Sequence, residues 1–384
     1  MSRRDKARDE VPAVAWLLLK APMRNPRGLE PFHHRDRGRV ISACRNVLKN
    51  YGGVMRKLFL VPLAVACTLV AASASAAEVE TITLFDPAAF ETPESIQIDR
   101  HGHVYISLAL TGEVRKIAPD GTQSTLALLP LHQEVQPCQN SAGSAGIAGI
   151  ALDHQRNVYV GVRSCSAADL GIWKVTPDGQ QSLLANLPGD LFPPGSARPN
   201  GIAYHDGWLY VADSALALVW RVHADGQSPA EVWTADPLLQ HPPVPLPGIP
   251  GPNGLQIFHR EVYVSVSDRA HIVAFRIKAN GSAGPGRVHV LLGVDDFAFD
   301  VKGNLYAMTN FSQTVERVTP DGRTETLLTF ADGLDGPSSG AFGAGNDKKN
   351  LYIANAAYPF FPGPTSRRPS LLRLHIGIPG KPRP

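Results

Sequence analysis

Four oxygen-bearing side chains recur at matching positions along the 384-residue sequence, and as a set they suit a hard metal ion. They are Glu94, Asn200, Asn253 and Asp295, and each introduces a short β-rich run. Ca²⁺ accepts mixed carboxylate and amide oxygens, with water completing its shell. Because His and Cys are absent from these positions, the set argues against zinc. The alternative is that Pro-Glu and Asn-Gly only shape the start of a strand.

These positions belong to a repeat of six units, in which Ala148 and Ser338 take the same place in the other two. The six residues are 54, 52, 53, 42 and 43 apart. A hydrophobic-Tyr pair follows each of them, and five units then contain an Asp-Gly or Asn-Gly pair, which tolerates positive φ and is typical of a hairpin turn. The turns are Asp120-Gly121, Asp178-Gly179, Asp225-Gly226, Asn280-Gly281 and Asp321-Gly322. A period of this size predicts a propeller.

The fold that we expect is all-β: a six-bladed β-propeller whose blades each contain four antiparallel strands. The last unit reaches only a third strand, at 371–374, before a Pro/Gly-rich tail. A strand at 80–85 precedes the first unit and has no blade of its own. Pairing this N-terminal strand onto blade six removes two open sheet edges and closes the ring. The six repeat residues then surround one mouth of the central channel, which we call the upper mouth.

The N-terminal region differs in composition from the repeats. Residues 1–54 are rich in Lys and Arg and contain no repeat mark, so we interpret them as a non-native or disordered extension; a genuine cytoplasmic arm is the alternative. Residues 55–77 begin with Arg56-Lys57, continue as an uncharged stretch and end in small residues. This is the form of a secretory signal peptide. Residues 78–384 then make a single propeller domain, which we expect to be periplasmic or secreted.

The net charge of +3 belongs to the leader rather than to the propeller. Residues 78–384 contain 23 Lys and Arg against 29 Asp and Glu, a net charge of −6. An acidic domain gives no reason to propose nucleic acid as a partner. The propeller region also contains no apolar run long enough to span a membrane.

Two cysteines, Cys138 and Cys165, lie within the predicted propeller. In an exported protein such a pair usually forms a disulfide. Both cysteines fall in loops of blade two at the upper face. Two separate buried thiols are the alternative. Long Pro-rich insertions fall on the same face, which favours this end of the propeller as the functional one.

The quoted motifs resemble those of the SMP-30/gluconolactonase-like calcium-dependent lactonases, which are six-bladed propellers. The resemblance covers about residues 79–375 and rests on 93–95, 198–201, 252–254 and Asp295. It implies that Glu94, Asn253 and Asp295 bind the cation, which is Ca²⁺ or another divalent ion. It also implies that Asn200, which we include as a further candidate ligand, and Arg198 contact the substrate.

The resemblance further implies that Asp295 is the base that activates water. Two departures from the family pattern bear on this. Gly201 follows Asn200 directly, where the family has Asp-Gly, and Asp296 follows Asp295, where the family has Gly. The two adjacent acids are therefore both candidate catalytic residues, with their roles open to exchange.

Two functions follow from this sequence. The first is a metal-dependent hydrolase of lactones or related cyclic esters, with a small, sugar-derived molecule as substrate. The second is a non-catalytic, NHL-like propeller that binds a small molecule or a protein partner, since propellers serve both purposes. A lyase would need a His base, and none of the scattered histidines falls on a repeat position.

Overall fold

Among the described residues, twenty-four strands form six antiparallel sheets of four strands each, which confirms the predicted six-bladed propeller. The computed structural model describes residues 79–133, 145–188, 196–244, 248–359 and 366–382. The predicted extension at 1–54 and the predicted signal peptide at 55–77 lie outside these residues and stay predictions. Within the described part of the chain, no helix has the length and apolar character needed to cross a bilayer.

The strands of blades one to three are β1 Val79–Leu84 (which belongs to blade six), β2 Pro93–Ile98, β3 Val104–Leu108, β4 Glu113–Ile117, β5 Gln123–Leu128, β6 Gly146–Leu152, β7 Val158–Arg163, β8 Gly171–Val175, β9 Gln181–Asn186, β10 Pro199–His205, β11 Trp208–Asp213, β12 Leu218–His223 and β13 Glu231–Thr234. Those of blades four to six are β14 Pro252–Phe258, β15 Glu261–Val266, β16 His271–Arg276, β17 Arg287–Val290, β18 Phe297–Phe299, β19 Leu305–Thr309, β20 Thr314–Val318, β21 Thr324–Leu328, β22 Pro337–Phe342, β23 Asn350–Asn355 and β24 Ser370–His375. Short 3-10 turns occur at Pro87–Ala89, Ser267–Arg269, Phe330–Asp332 and Gly345–Asp347.

Blade six is completed from both ends of the domain. β1 pairs antiparallel with β24, with Val79 opposite Leu374 and Leu84 opposite Ser370. The sheet order is β1-β24-β23-β22, so the first strand of the domain supplies the outer strand of the last blade. The predicted closure is confirmed, and it leaves no gap between blade six and blade one.

In blades one, two and five, the recurring tyrosine ties the second strand of the blade to an aspartate at the end of its inner strand. In blade two the hydroxyl of Tyr159 donates to Asp153 Oδ2 at 2.9 Å, and in blade five Tyr306 donates to Asp300 Oδ2 at 3.0 Å. The rings are almost fully buried. A buried hydroxyl needs such a partner, because leaving it unpaired costs about 1–3 kcal/mol. The repeated Tyr is therefore a structural residue of the blade.

The Gly of each Asp-Gly or Asn-Gly pair is the residue that adopts positive φ, as in Gly121 at 86° and Gly322 at 84°. The preceding Asp or Asn does not adopt it. In three of the turns its side chain instead accepts from the backbone two residues on, as when Thr122 N donates to Asp120 Oδ1 at 2.9 Å. The pairs join the third and fourth strands as predicted, and the turn depends on one left-handed glycine rather than on two left-handed residues.

The hydrophobic core lies between neighbouring blades. One buried cluster joins Tyr105 and Val114 of blade one to Val158 and Val160 of blade two. Equivalent clusters join the later blades, and another joins blade six to blade one. Because each blade buries both faces against its neighbours, closing the ring is what removes the last apolar faces from water.

Cys165 is fully buried and forms a disulfide bond. Its backbone N donates to Leu131 O at 2.8 Å, so the loop after β7 packs beside the segment that follows blade one. Cys138 lies outside the described residues, and the pairing of these two cysteines therefore stays a prediction.

Candidate active site

In the units of blades two, three and four, the inner strands come so close at the upper mouth that only glycine fits after the repeat residue. A Cβ added to Gly149 would lie 2.2 Å from Asn200 O, and one added to Gly254 would lie 2.5 Å from Asp295 O. Gly201 meets the backbone of β14 in the same way. A real side chain would have to push these strands apart. The glycines of the Asn-Gly pairs therefore let repeat residues on neighbouring blades approach one another.

Each of the two asparagines is held by a serine that the sequence analysis did not single out. Asn200 Nδ2 donates to Ser214 Oγ at 3.1 Å, and Asn253 Nδ2 donates to Ser267 Oγ at 3.1 Å. In both pairs the serine follows the asparagine by 14 residues. This constant spacing is the feature of the sequence from which the two serines could have been identified.

The serines also fix which end of each amide faces the channel. Ser214 Oγ donates its proton to Pro252 O at 2.7 Å, and Ser267 Oγ donates to Val294 O at 2.8 Å. A hydroxyl has a single proton, so each serine accepts from the amide nitrogen and cannot donate to the amide oxygen. The Oδ1 atoms of Asn200 and Asn253 consequently face away from the serines.

Asp295 lies just before β18 and contacts the repeat residue of blade four. Its Oδ1 accepts from Asn253 Nδ2 at 2.6 Å, and its Oδ2 accepts from Asn310 Nδ2. Its backbone O accepts from Ser265 Oγ at 2.6 Å. Burial raises the pKa of Asp295 well above the ordinary value, and the charges of Glu94 and Asp296 raise it further. Asn310 does not occupy a repeat position, so the repeat pattern does not point to it.

Asp296 turns to the neighbouring blade six. Its Oδ2 accepts from Ser339 Oγ at 2.7 Å, while its Oδ1 is buried and has no hydrogen-bond partner among the described residues. Burial raises the pKa of Asp296 to about 6, with the Ser339 hydrogen bond opposing this. The adjacent acids thus differ: Asp295 has both oxygens hydrogen-bonded, and Asp296 has one buried oxygen left without a donor.

Glu94, the second residue of β2, supplies the third carboxylate. Its Oε2 accepts from the hydroxyl of Tyr358, a residue 264 positions away in the chain. Burial raises the pKa of Glu94 to about 7; the positive charges of Arg163 and Arg198 oppose the increase, and Asp296 adds to it. Neither Tyr358 nor Arg163 stood out in the sequence, since neither occupies a repeat position.

Arg198 lies immediately before β10. Its backbone N donates to Asp213 Oδ1 at 3.0 Å. Its side chain is open to solvent within the cleft, where partial desolvation lowers its pKa and the charges of Asp213 and Glu94 oppose that shift. Arg198 therefore lies within electrostatic reach of the carboxylate group at the upper mouth.

The predicted site residues are brought together to different degrees. Asn253 and Asp295 are in direct contact, and Glu94 and Asp296 interact electrostatically with Asp295. Asn200 forms no hydrogen bond with these three acids. It is linked to them through Ser214, which bonds to the residue before Asn253. Within the described ranges, no three His, Cys, Asp or Glu side chains are grouped so as to bind a metal on their own.

The donor set nevertheless suits a divalent cation once the amide oxygens are included. The pKa values of the three acids are raised because nearby positive charge does not compensate their burial and mutual repulsion. A divalent ion would supply that charge, and Ca²⁺ accepts carboxylate and amide oxygens together. Glu94, Asn253 and Asp295 are the residues that would bind it, with Asn200 nearby.

A cavity of about 450 Å³ opens at the opposite, lower mouth of the channel. Asp153, one of its lining carboxylates, is engaged by the tyrosine of its own blade. The C-terminal segment crosses this mouth, where Lys381 Nζ donates to Ile257 O at 2.6 Å. We assign the candidate active site to the upper mouth, because the three buried carboxylates with raised pKa values, Glu94, Asp295 and Asp296, lie there.

No protein-family model matches the sequence, and no curated protein matches it. Solved structures match the fold over 80% of this chain. A luciferin-regenerating enzyme is 15% identical, with 98% of that chain covered and a TM-score of 0.58. The calcium-binding protein regucalcin from Agrobacterium tumefaciens is 16% identical, with 97% covered and a TM-score of 0.58. A gluconolactonase from Xanthomonas campestris is 18% identical, with 93% covered and a TM-score of 0.52.

The class that these likenesses define is the six-bladed β-propeller. The structural neighbours of this chain are gluconolactonase- and regucalcin-like propellers, in agreement with the resemblance found in the sequence. At such low identities the likeness is one of fold. What the chain does must therefore be argued from its own site.

Proposed function

We propose that this protein is a Ca²⁺-dependent hydrolase of lactones or related cyclic esters, with small, sugar-derived molecules as substrates. The observation that carries the proposal is the pairing of Asn253 with Asp295, beside Glu94, at the upper mouth of the channel. The gluconolactonase-like structural neighbours support the same reading. Another divalent ion would satisfy the same ligands.

Glu94, Asn253 and Asp295 would hold the cation, and Asn200 is a further candidate ligand. When bound, a divalent ion supplies Lewis-acid polarisation of the substrate carbonyl. The chain supplies the remaining functions. Asp295 is the first candidate for the base, and Asp296 is the second, since the Oδ1 of Asp296 is buried and has no hydrogen-bond partner among the described residues.

These groups account for the proton that is transferred during the reaction. A water oxygen adds to the carbonyl carbon as the carboxylate accepts its proton, and the ring C–O bond then breaks. The proton passes to the departing alkoxide, which gives an open hydroxy acid. Asn200 and Arg198 orient the lactone during these steps, by hydrogen bonding to its hydroxyl or carbonyl oxygens.

The location that we propose is the periplasm or the extracellular space. It follows from the signal-like composition of 55–77 and from the cysteine pair, and the negative charge of 78–384 is compatible with it. The proposed partners are small molecules rather than nucleic acids.

The test is elemental analysis of the purified propeller followed by a lactone panel with and without chelator. We expect about one bound divalent ion per chain, hydrolysis of at least one lactone, loss of activity with chelator and recovery with Ca²⁺. A protein that contains metal and binds ligands, yet hydrolyses no lactone, would favour the non-catalytic, NHL-like alternative.

A further inference from the structure

Two guanidinium groups, those of Arg163 and Arg198, lie at the upper mouth. Arg163 is the last residue of β7, and Arg198 directly precedes β10, so both lie at the upper ends of neighbouring blades two and three. Among the described residues, neither side chain forms an ion pair with an acid or a hydrogen bond that would neutralise it. This distinguishes them from Arg115, which bonds to Glu91 and Glu113 at 2.6 and 2.7 Å.

Arg163 is packed into the site rather than extended into solvent. It pairs with Gly146 across β6 and β7, and a Cβ added at Gly146 would lie 3.2 Å from a terminal nitrogen of Arg163. The Nε atom is buried and has no acceptor within the described part of the chain. A buried donor without an acceptor is costly, so an unpaired guanidinium held in this position calls for a ligand.

The electrostatics of the mouth indicate the sign of that ligand. Burial and the positive charge of Arg198 together lower the pKa of Arg163 to about 9, and the negative charge of Glu94 opposes this shift. The negative charges of Asp213 and Glu94 likewise oppose the lowering of the pKa of Arg198. Glu94 is thus the carboxylate that both arginines share, and under the proposed function it is also a cation ligand.

The geometry of the guanidinium group indicates the chemical class of the ligand. The Nε of Arg163 is a buried donor that has no acceptor within the described part of the chain. A planar guanidinium binds a carboxylate through two parallel hydrogen bonds, so a carboxylate on the substrate would satisfy this donor.

We infer that Arg163 and Arg198 form a subsite for a carboxylate group of the ligand, so that the preferred substrates are lactones that also bear a carboxylate. This inference rests on the proposed function. Binding of the substrate carboxylate by the two arginines would place the lactone carbonyl beside the residues that bind the cation. Arg163 is the new specificity residue. It occupies blade two, where the repeat position is Ala148 and offers no polar group.

The kinetic test compares two lactones with the same ring, D-glucono-1,4-lactone and D-glucaro-1,4-lactone, which differ by a carboxylate at C6. We expect wild type to have the higher kcat/KM for the glucarolactone. Arg163→Gln should lower the ratio of the two kcat/KM values by about ten- to a hundredfold, the usual worth of a charged hydrogen bond. Arg163→Lys keeps the positive charge but loses the two parallel N–H donors of the guanidinium, so it should lower this ratio less.

The matched control is Arg276→Gln, which removes the same charge from an exposed residue at the lower end of blade four. It should leave the ratio unchanged. Thermal unfolding shows whether Arg163→Gln is folded. Removal of an uncompensated buried charge should leave the melting temperature equal or higher, in contrast to removal of a packed core residue.

A binding measurement separates this inference from the proposed function. Titration calorimetry with D-glucarate should give measurable affinity for wild type and at least tenfold weaker affinity for Arg163→Gln. Arg163-dependent glucarate binding without hydrolysis of any lactone would overturn the proposed function and keep the subsite. Hydrolysis of both lactones at equal efficiency, unchanged in Arg163→Gln, would overturn the subsite and keep the function.

Discussion

Asn253 donates its amide nitrogen to Asp295 Oδ1 at 2.6 Å, across the boundary between blades four and five. The same nitrogen also donates to Ser267, so its two protons are both used and its oxygen remains for a further partner. A pair of residues 42 positions apart thus presents one carboxylate and one amide oxygen together at the channel mouth.

Asp295 and Asp296 should respond differently to removal of their carboxylates. Asp295→Ala removes a proposed ligand and the first-choice base, so we expect kcat to fall by about 10²–10⁴-fold and Ca²⁺ affinity to fall with it. Asp296→Ala should lower both kcat and Ca²⁺ affinity less than Asp295→Ala does. Steady-state kinetics and calcium titration of the two variants measure this. A larger loss from Asp296→Ala would assign the base to Asp296 instead.

The serines that hold the asparagines provide a test of positioning. Ser267→Ala frees the Asn253 amide to rotate and leaves Val294 O without its donor, at a cost of about 0.5–1.5 kcal/mol, or up to about tenfold in Ca²⁺ affinity. Ser214→Ala is the matched change beside Asn200. It should raise KM for the lactone while Ca²⁺ affinity changes little. If the two variants lower Ca²⁺ affinity equally, Asn200 binds the cation as directly as Asn253 does.

The pH dependence of stability should differ between metal-free and loaded protein. The pKa of Glu94 rises from 4.5 to about 7 on folding, so between these values the folded state binds more protons than the unfolded state. The contribution of Glu94 to metal-free stability therefore falls as pH rises through this window. Three histidines have a lowered pKa, so their contribution to stability instead rises with pH; they are His205, His271 and His289.

Glu94→Gln isolates that contribution. In chelator, urea unfolding from pH 4.5 to 8 should show wild type losing stability relative to Glu94→Gln as pH rises. With Ca²⁺ present the order should reverse above neutral pH, because the ion requires the ionised carboxylate. Parallel pH curves for the two proteins in chelator would show that Glu94 titrates normally.

The cysteine pairing predicts a covalent link between the segment after blade one and the loop after β7. Peptide mapping without reduction should recover Cys138 and Cys165 in one linked species. The double change Cys138→Ser, Cys165→Ser should lower the free energy of unfolding by about 2–4 kcal/mol. Two alkylatable thiols in the unreduced protein would contradict the pairing.

Export processing is a separate prediction. The N-terminus of protein recovered from the periplasm or medium should lie near Ala77 or Glu78, after the small residues that end the signal-like stretch. N-terminal sequencing checks this. Exported protein that still begins at Met1 would show that 55–77 is not cleaved.

The sequence alone determined the architecture of this protein. Strand alternation, one Asp-Gly or Asn-Gly turn in five of the blades and a repeated lead residue are local features, and they are encoded within about fifty residues each. The closure of blade six by β1 also followed from the sequence, because both ends of the ring otherwise leave an unpaired strand edge. The repeat register likewise indicated Glu94, Asn253 and Asp295 as neighbours.

Only the tertiary structure decided what surrounds those residues. Tyr358 reaches Glu94 from 264 residues away, and Arg163 enters the mouth from the end of a second strand, where no repeat mark points to it. The orientation of the asparagine amides depends on serine hydroxyls that are committed to carbonyls of the next blade. Such contacts join different blades, so the period within a blade cannot encode them; they exist only once the ring has closed.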